Sequence, residues 1–137
     1  LLIGTYTSDW RDCPYGGLRL WAGALRFLYK ILKAGDWASA VASGRFEGSA
    51  VDLQDSFIHL SAAHQVRETA ARHFAAQDGL VLVAFAEDRL DALRWEPSRG
   101  GDLFPHVYGA IDPGRAAWVK PLPLIGGVHV FPAETGS

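Results

Sequence analysis

A chain of 137 residues is the length of one domain and can bury a substantial core. With 49% hydrophobic and 20% charged residues it is globular in composition, which excludes wholesale disorder. Its 13 bases and 15 acids are mixed along the chain and leave a formal net charge of −2, so no basic stripe serves a duplex nucleic-acid partner; a single nucleotide or an RNA end needs far less positive charge.

Residues 1–25 mix Gly, Thr, Ser, Asp and Pro with Tyr6, Trp10, Tyr15 and Trp21 and hold no sustained period. They read as a poorly ordered extension, the other reading being a segment that pads one face of the domain. Cys13 is the single cysteine, so neither an intrachain disulfide nor a cysteine-based zinc cluster is available, in keeping with a reducing cytoplasm. With no methionine, the sequence reads as a processed, trimmed or partial product. The apolar run 18–32 is interrupted by Arg19, Arg26 and Lys30, against a membrane span, and no basic region or cleavage site marks a signal peptide. A soluble, cytoplasmic protein is expected, with an extension over 1–26, a domain over 27–132 and a tail over 133–137.

Alternation over 27–32 predicts the first strand. Asp36 is placed to cap a helix through Trp37, Ala38, Val41 and Ala42 that stops at Gly44. Residues 45–55 read as a loop with one helical turn, 57–60 as a short strand, and Ser61 as the cap of a helix over 62–76. In that helix Val66, Ala70, His73 and Phe74 form an apolar stripe, and Glu68 and Arg72 make an i,i+4 pair. The run 80–85 predicts a central strand buried on both faces, followed by a short helical turn over 88–93. Residues 116–120 and 128–131 read as further strands, the first leaving the sheet at an edge because of Pro121 and Pro123. No repeat or linker divides the chain. Early helices and late strands without βαβ alternation predict an α+β fold with a mixed, mainly antiparallel sheet and two main helices.

Two stretches carry chemistry. On a strand His59 and Ser61 share a face, and Ser61 would stand at a helix N-terminus that favours an anion. The alternative is a backbone-bonded histidine beside a serine that merely caps. The second stretch, Trp95 to Gly109, is punctuated by Pro97, Gly100, Gly101, Pro105 and Gly109, which excludes one long helix or one central strand. It places Trp95, Phe104 and Tyr108, which favour burial, beside Glu96, Arg99 and His106, which need partners, and reads as a buried loop that builds a small-ligand site. Arg99 before Gly100 and Gly101 can grip an oxyanion while backbone N–H groups approach the ligand. His106 and Tyr108, two apart, share a strand face where one ring moves protons and the other stacks. The alternative is an Arg99 salt bridge to Glu96 or Asp102 that pins the loop, with Tyr108 in the core. His64 and His73 lack zinc-pair spacing, so no metal is expected. Asp52 and Asp55 read as turn caps, with Asp55 close enough to orient His59. No Gly-rich phosphate loop or Ser or Cys nucleophile motif is present.

The blocks Tyr29-Lys30-Ile31-Leu32, Asp36-Trp37, Gly48-Ser49-Ala50-Val51-Asp52, Phe57-Ile58-His59-Leu60-Ser61, Glu68-Thr69-Ala70-Ala71-Arg72-His73-Phe74, Arg94-Trp95-Glu96-Pro97-Ser98-Arg99-Gly100-Gly101 and Leu103-Phe104-Pro105-His106-Val107-Tyr108-Gly109 stand in order. Together they resemble the domain-of-unknown-function 952 family, small and mostly bacterial proteins, over about 27–132. The resemblance implies an ADP-ribosyltransferase-like fold, in which a cleft of a split mixed sheet binds NAD. The Ile-His-Leu-Ser block is similar to the His-x-His-Leu-Ser of RNA 2′-phosphotransferases, with Phe57 in place of the first histidine. Lys30 stands where many transferases of this fold carry a histidine, and Glu96 is the nominee for their glutamate. The function so implied is binding of NAD or a related nucleotide phosphate, with ADP-ribosyl or phosphate transfer. His59, Ser61, Arg99 and Gly100 would hold phosphate, Tyr108 would stack on a ring, His106 would orient a ribose hydroxyl or move a proton, and Glu96 would offset an oxocarbenium-like ribose. The alternative is a non-catalytic module for a small anionic metabolite or a partner protein. A third reading makes the blocks purely structural.

Overall fold

The computed structural model describes residues 26–136, the side chain of Arg99 excepted; the segment 1–25 and Cys13 lie outside the described residues. Its centre is a four-stranded antiparallel sheet in the order β3-β1-β4-β7, formed by β1 (Phe27–Lys33), β3 (Ser61–Ala62), β4 (Leu80–Ala86) and β7 (Ala116–Leu122). Alternation in β1 divides the core. Leu28 and Leu32 turn to one face, Tyr29 and Ile31 to the other, and all four are buried. On the Tyr29 side, Val66 and Ala70 of α3 (Ala63–His73) close a cluster with Leu80, Leu82, Ala84 and Leu122. On the Leu28 side, Trp37 and Ala40 of α1 (Ala34–Ser43) join Phe46, Val83 and Phe85. The central strand expected over 80–85 is β4, buried on both faces, and the expected edge strand is β7.

The second sheet has three strands, β2-β6-β5, built from β2 (Ile58–His59), β5 (Leu93–Pro97) and β6 (Leu103–Val107). Ile58, Val107 and Leu93 form one cross-strand row, and their inward side chains belong to the Leu28-side core. Every pairing among the described strands is antiparallel, in keeping with the mainly antiparallel expectation and without its mixed part, and the strands form sheets of four, three and two. The expected strand 57–60 is shorter, at Ile58–His59, and Ser61, expected as a helix cap, opens a strand of the other sheet. The chain leaves the small sheet after His59 and enters the large one at Ser61, and between them the Leu60 N–H donates to the Pro105 carbonyl at 3.0 Å.

The expected loop over 95–109 is a β-hairpin, with a tight turn at Arg99–Gly101 where Gly100 and Gly101 take left-handed φ of 68° and 84°. Pro105 tolerates a place in the middle strand because its carbonyl points to Leu60, beyond the end of β2. A proline N on that side removes no ladder bond to β5. The two main helices are α1 and α3, and the helical turn expected within 45–55 is the short helix α2 (Ala50–Asp55). The N-cap of α1 is Lys33, with Asp36 in its first turn, while Gly44 does end it in the left-handed region at φ 80°. The cap of α3 is Ala62, whose N–H donates to Gln65 Oε1 at 3.0 Å; Ser61 precedes it. His73, expected in the apolar stripe, is exposed. The helical turn expected over 88–93 is a 3₁₀ turn at Glu87–Arg89, followed by a bend at Asp91 and Ala92 before β5 begins at Leu93. A small hairpin of β8 (Leu124–Ile125) and β9 (Val128–His129) follows, and the chain then returns to place the Thr135 carbonyl against the buried Tyr29 hydroxyl at 3.1 Å. No helix among the described residues is long and apolar enough to cross a membrane.

Candidate functional site

In an antiparallel sheet directly opposed residues project from the same face. Next to the buried row Ile58–Val107–Leu93, the register sets His59 opposite His106 and His106 opposite Arg94. Period-two alternation turns this second row away from the core. The two imidazole rings meet edge to face at 5.4 Å between centroids.

Asp52 holds the first histidine. It is 1% exposed and accepts four bonds: the Ser49 N–H at 2.8 Å, the His59 N–H at 3.1 Å, His59 Nδ1 at 2.7 Å and Lys30 Nζ at 2.7 Å. The bond to Ser49 places the carboxylate at the first turn of α2, which therefore orients it. Lys30 shares the Leu28 face of β1, so its amine crosses between the sheets and also donates to the His59 carbonyl at 3.0 Å. Burial alone would raise the Asp52 carboxyl. The His59 bond, the Lys30 charge and bond, and the Ser49 N–H outweigh it and hold the group at about 2. Burial pushes the Lys30 amine down, against the charge and hydrogen bond of Asp52. The other ring nitrogen of His59, Nε2, faces Asp55 Oδ2 at 3.0 Å. With carboxylates at both nitrogens, both contacts are hydrogen bonds only while each nitrogen carries a proton.

Glu96 holds the second histidine. Its Oε1 meets His106 Nδ1 at 2.8 Å and accepts the Tyr108 hydroxyl at 2.8 Å. The His106 bond and then the Tyr108 bond hold the Glu96 carboxyl below the usual range, and the same carboxylate raises the Tyr108 hydroxyl. Arg94 stacks its guanidinium 5.1 Å from the centre of the Tyr108 ring. Phe57 lies over the group, 4.2 Å from the His106 ring, 4.7 Å from His59 and 5.2 Å from Tyr108. His106 is thereby covered, at 4% exposure, whereas His59, Glu96, Tyr108 and Arg94 reach solvent.

Of the residues expected from sequence, the fold brings His59, His106, Glu96 and Tyr108 together. Ser61 goes elsewhere: it pairs with Tyr29 in register, faces α3 and hydrogen-bonds Thr69 Oγ1 at 3.0 Å. The expectation that Ser61 shares a face with His59 fails because the chain changes sheet between them. Gly100 sits at the hairpin tip, beyond a strand end that is itself roughly 10 Å from the histidine row. The side chain of Arg99 lies outside the described structure. Sequence reasoning missed Arg94 and the role of Asp52. The first could have been found from its register with His106, had the loop been recognised as a hairpin. No spacing rule points to the second, because its partner Lys30 is 22 positions away. Among the described residues no group of three or more His, Cys, Asp or Glu is arranged to hold a metal ion. The face presents the rings of Phe57 and Tyr108, the Arg94 guanidinium and the Glu96 carboxylate side by side.

A family model described as "Protein of unknown function (DUF952)" matches residues 31–119. The crystal structure of protein CC0527 from Caulobacter crescentus is 49% identical, with a TM-score of 0.72, over 76% of this chain and 93% of that one. Its solution NMR structure gives a TM-score of 0.68 at 49% identity, over 74% and 90%. No curated protein matches the chain.

Proposed function

The chain belongs to the DUF952 family, and on that premise we propose that the outer face of β2-β6-β5 binds NAD or a related nucleotide phosphate and supports ADP-ribosyl or phosphate transfer. One observation carries the reading: His59, His106 and Arg94 stand in one row on one face, each histidine backed by its own carboxylate. Carboxylate-backed imidazoles in a fixed orientation are the apparatus of proton transfer. His59 is the exposed member, so it is the group that would move a proton at its Nε2, displacing Asp55. His106, covered by Phe57, acts through Glu96 by fixing that carboxylate toward solvent. Arg94 would hold phosphate, and Phe57 with Tyr108 would support a planar ring. Bound NAD would supply the ADP-ribosyl group, and the Glu96 charge would stand ready for positive charge developing on a ribose. An ADP-ribosyltransferase-like cleft requires a split sheet, and the change of sheet at Leu60 is compatible with one.

Calorimetric titration with NAD, ADP-ribose and a 2′-phosphorylated RNA end tests this. Heat with at least one of them is expected, abolished in Arg94→Ala, and no heat with any sinks the proposal. The second reading, a non-catalytic module for a small anionic metabolite or a partner protein, is favoured by the burial of His106 and the locking of Lys30 into an internal ion pair. Binding without turnover, unchanged in Glu96→Gln, would establish it.

A further inference from the structure

We propose that a second cavity, on the opposite side of β6 from the histidine row, binds a small organic anion of the phosphate monoester type. The cavity measures about 260 Å³ and gathers three arginines from separate parts of the chain. Arg45 follows α1, Arg89 stands in the 3₁₀ turn after β4, and Arg115 stands in the 3₁₀ turn Pro113–Arg115 before β7. No local charge run produces this grouping; the fold does.

The guanidiniums are held loosely. Arg89 has no side-chain partner among the described residues. The Arg45 partner is Glu47 at 3.1 Å, and both side chains are about two-thirds exposed, at 66% and 65%. Arg115 donates to the Arg89 carbonyl at 2.7 Å and reaches Asp91 at 3.4 Å, where Asp91 is 89% exposed. Exposed pairs of this kind are weak, so an incoming anion displaces little. The second carboxylate of the lining, Asp112, is engaged in accepting the Gly114 N–H at 2.8 Å. The carbonyl end of α1, at Gly44, also borders the cavity and opposes an anion, which three guanidiniums outweigh.

Leu90, Val107 and Ile111 complete the lining, and all three belong to or pack on the Leu28-side core. Val107 and Ile111 are nearly fully buried, so the accessible lining is mainly polar and suits a ligand that is chiefly a charged head on a small organic body. The volume is below the roughly 300–1,000 Å³ of pockets for drug-sized ligands, so it suits a ligand much smaller than a dinucleotide.

Titration of the whole chain with phenyl phosphate, followed by amide NMR shifts, tests the site, with benzyl alcohol as the uncharged ring. Saturable shifts are expected at Leu90, Ala110 and Ile111 with phenyl phosphate and not with benzyl alcohol. Arg89→Ala should weaken binding about tenfold; its side chain is exposed and makes no hydrogen bond or ion pair among the described residues, so the fold should tolerate the change. Arg115→Ala should weaken it at least as much. The proposal is overturned by any of three results: no saturation in the low-millimolar range, the same affinity in Arg89→Ala, or shifts confined to His59, Glu96 and Tyr108. The last result would place the phosphate on the histidine face.

Discussion

Asp52 keeps a full charge inside the fold because its four hydrogen bonds replace the water it loses. Removing the charge strands the Lys30 amine, which is only 5% exposed. Asp52→Asn is therefore expected to cost about 3–5 kcal/mol in urea unfolding at neutral pH. The acid limb follows from the carboxyl. Its folded value of about 2 lies below the ordinary 3.8, so the stabilisation is present above the unfolded value and is lost as pH falls through about 2. That contribution is about 2 kcal/mol, and the gap between wild type and Asp52→Asn should narrow over the same range. Lys30 runs the other way. Its depressed folded value makes the buried ammonium a cost at neutral pH that eases as pH rises toward the unfolded value.

The short helix α2 matters less for its own length than for where it holds Asp52. The turn before it passes Gly48 at φ 116°, and a Cβ there would come within 2.7 Å of Asp52 Cβ. Gly48→Ala thus combines backbone strain with displacement of the carboxylate that orients His59. A loss of about 2–3 kcal/mol in thermal unfolding is expected, with a changed His59 imidazole NMR signal. A stable variant with an unchanged His59 signal would show that α2 does not position the ring. Among the longer elements, β1 and α3 were legible in the sequence because each carries its own period, and β4 because an unbroken apolar run of strand length marks a strand buried on both faces. The β5–β6 hairpin was not legible. Its prolines and glycines read as breaks, and only pairing with Leu60 and His59 shows that Pro105 gives up no ladder bond.

Across the described residues, the four-stranded and three-stranded sheets pack on one core and the chain passes from one to the other at Leu60, so the histidine face is tied to the most buried strands. Local opening should follow burial. Amide hydrogen exchange in β1 and β4 is expected only through global unfolding. The β8–β9 hairpin, where Ile125 and Val128 are largely exposed, should exchange by local opening. Equal protection in β4 and β9 would contradict this layering.

The sequence by itself determined the α+β class, the central strand, the main helix and four members of the candidate site, because alternation, helical period and residue chemistry are local properties. Only the tertiary structure decided which of those residues meet. Ser61 stands two positions from His59 yet faces α3, since the chain changes sheet between them. Lys30 and Asp52, far apart in sequence, form one buried pair because the two sheets close on each other. Whether a side chain shares a face with its neighbour depends on which strand it is paired to, and pairing is a non-local choice.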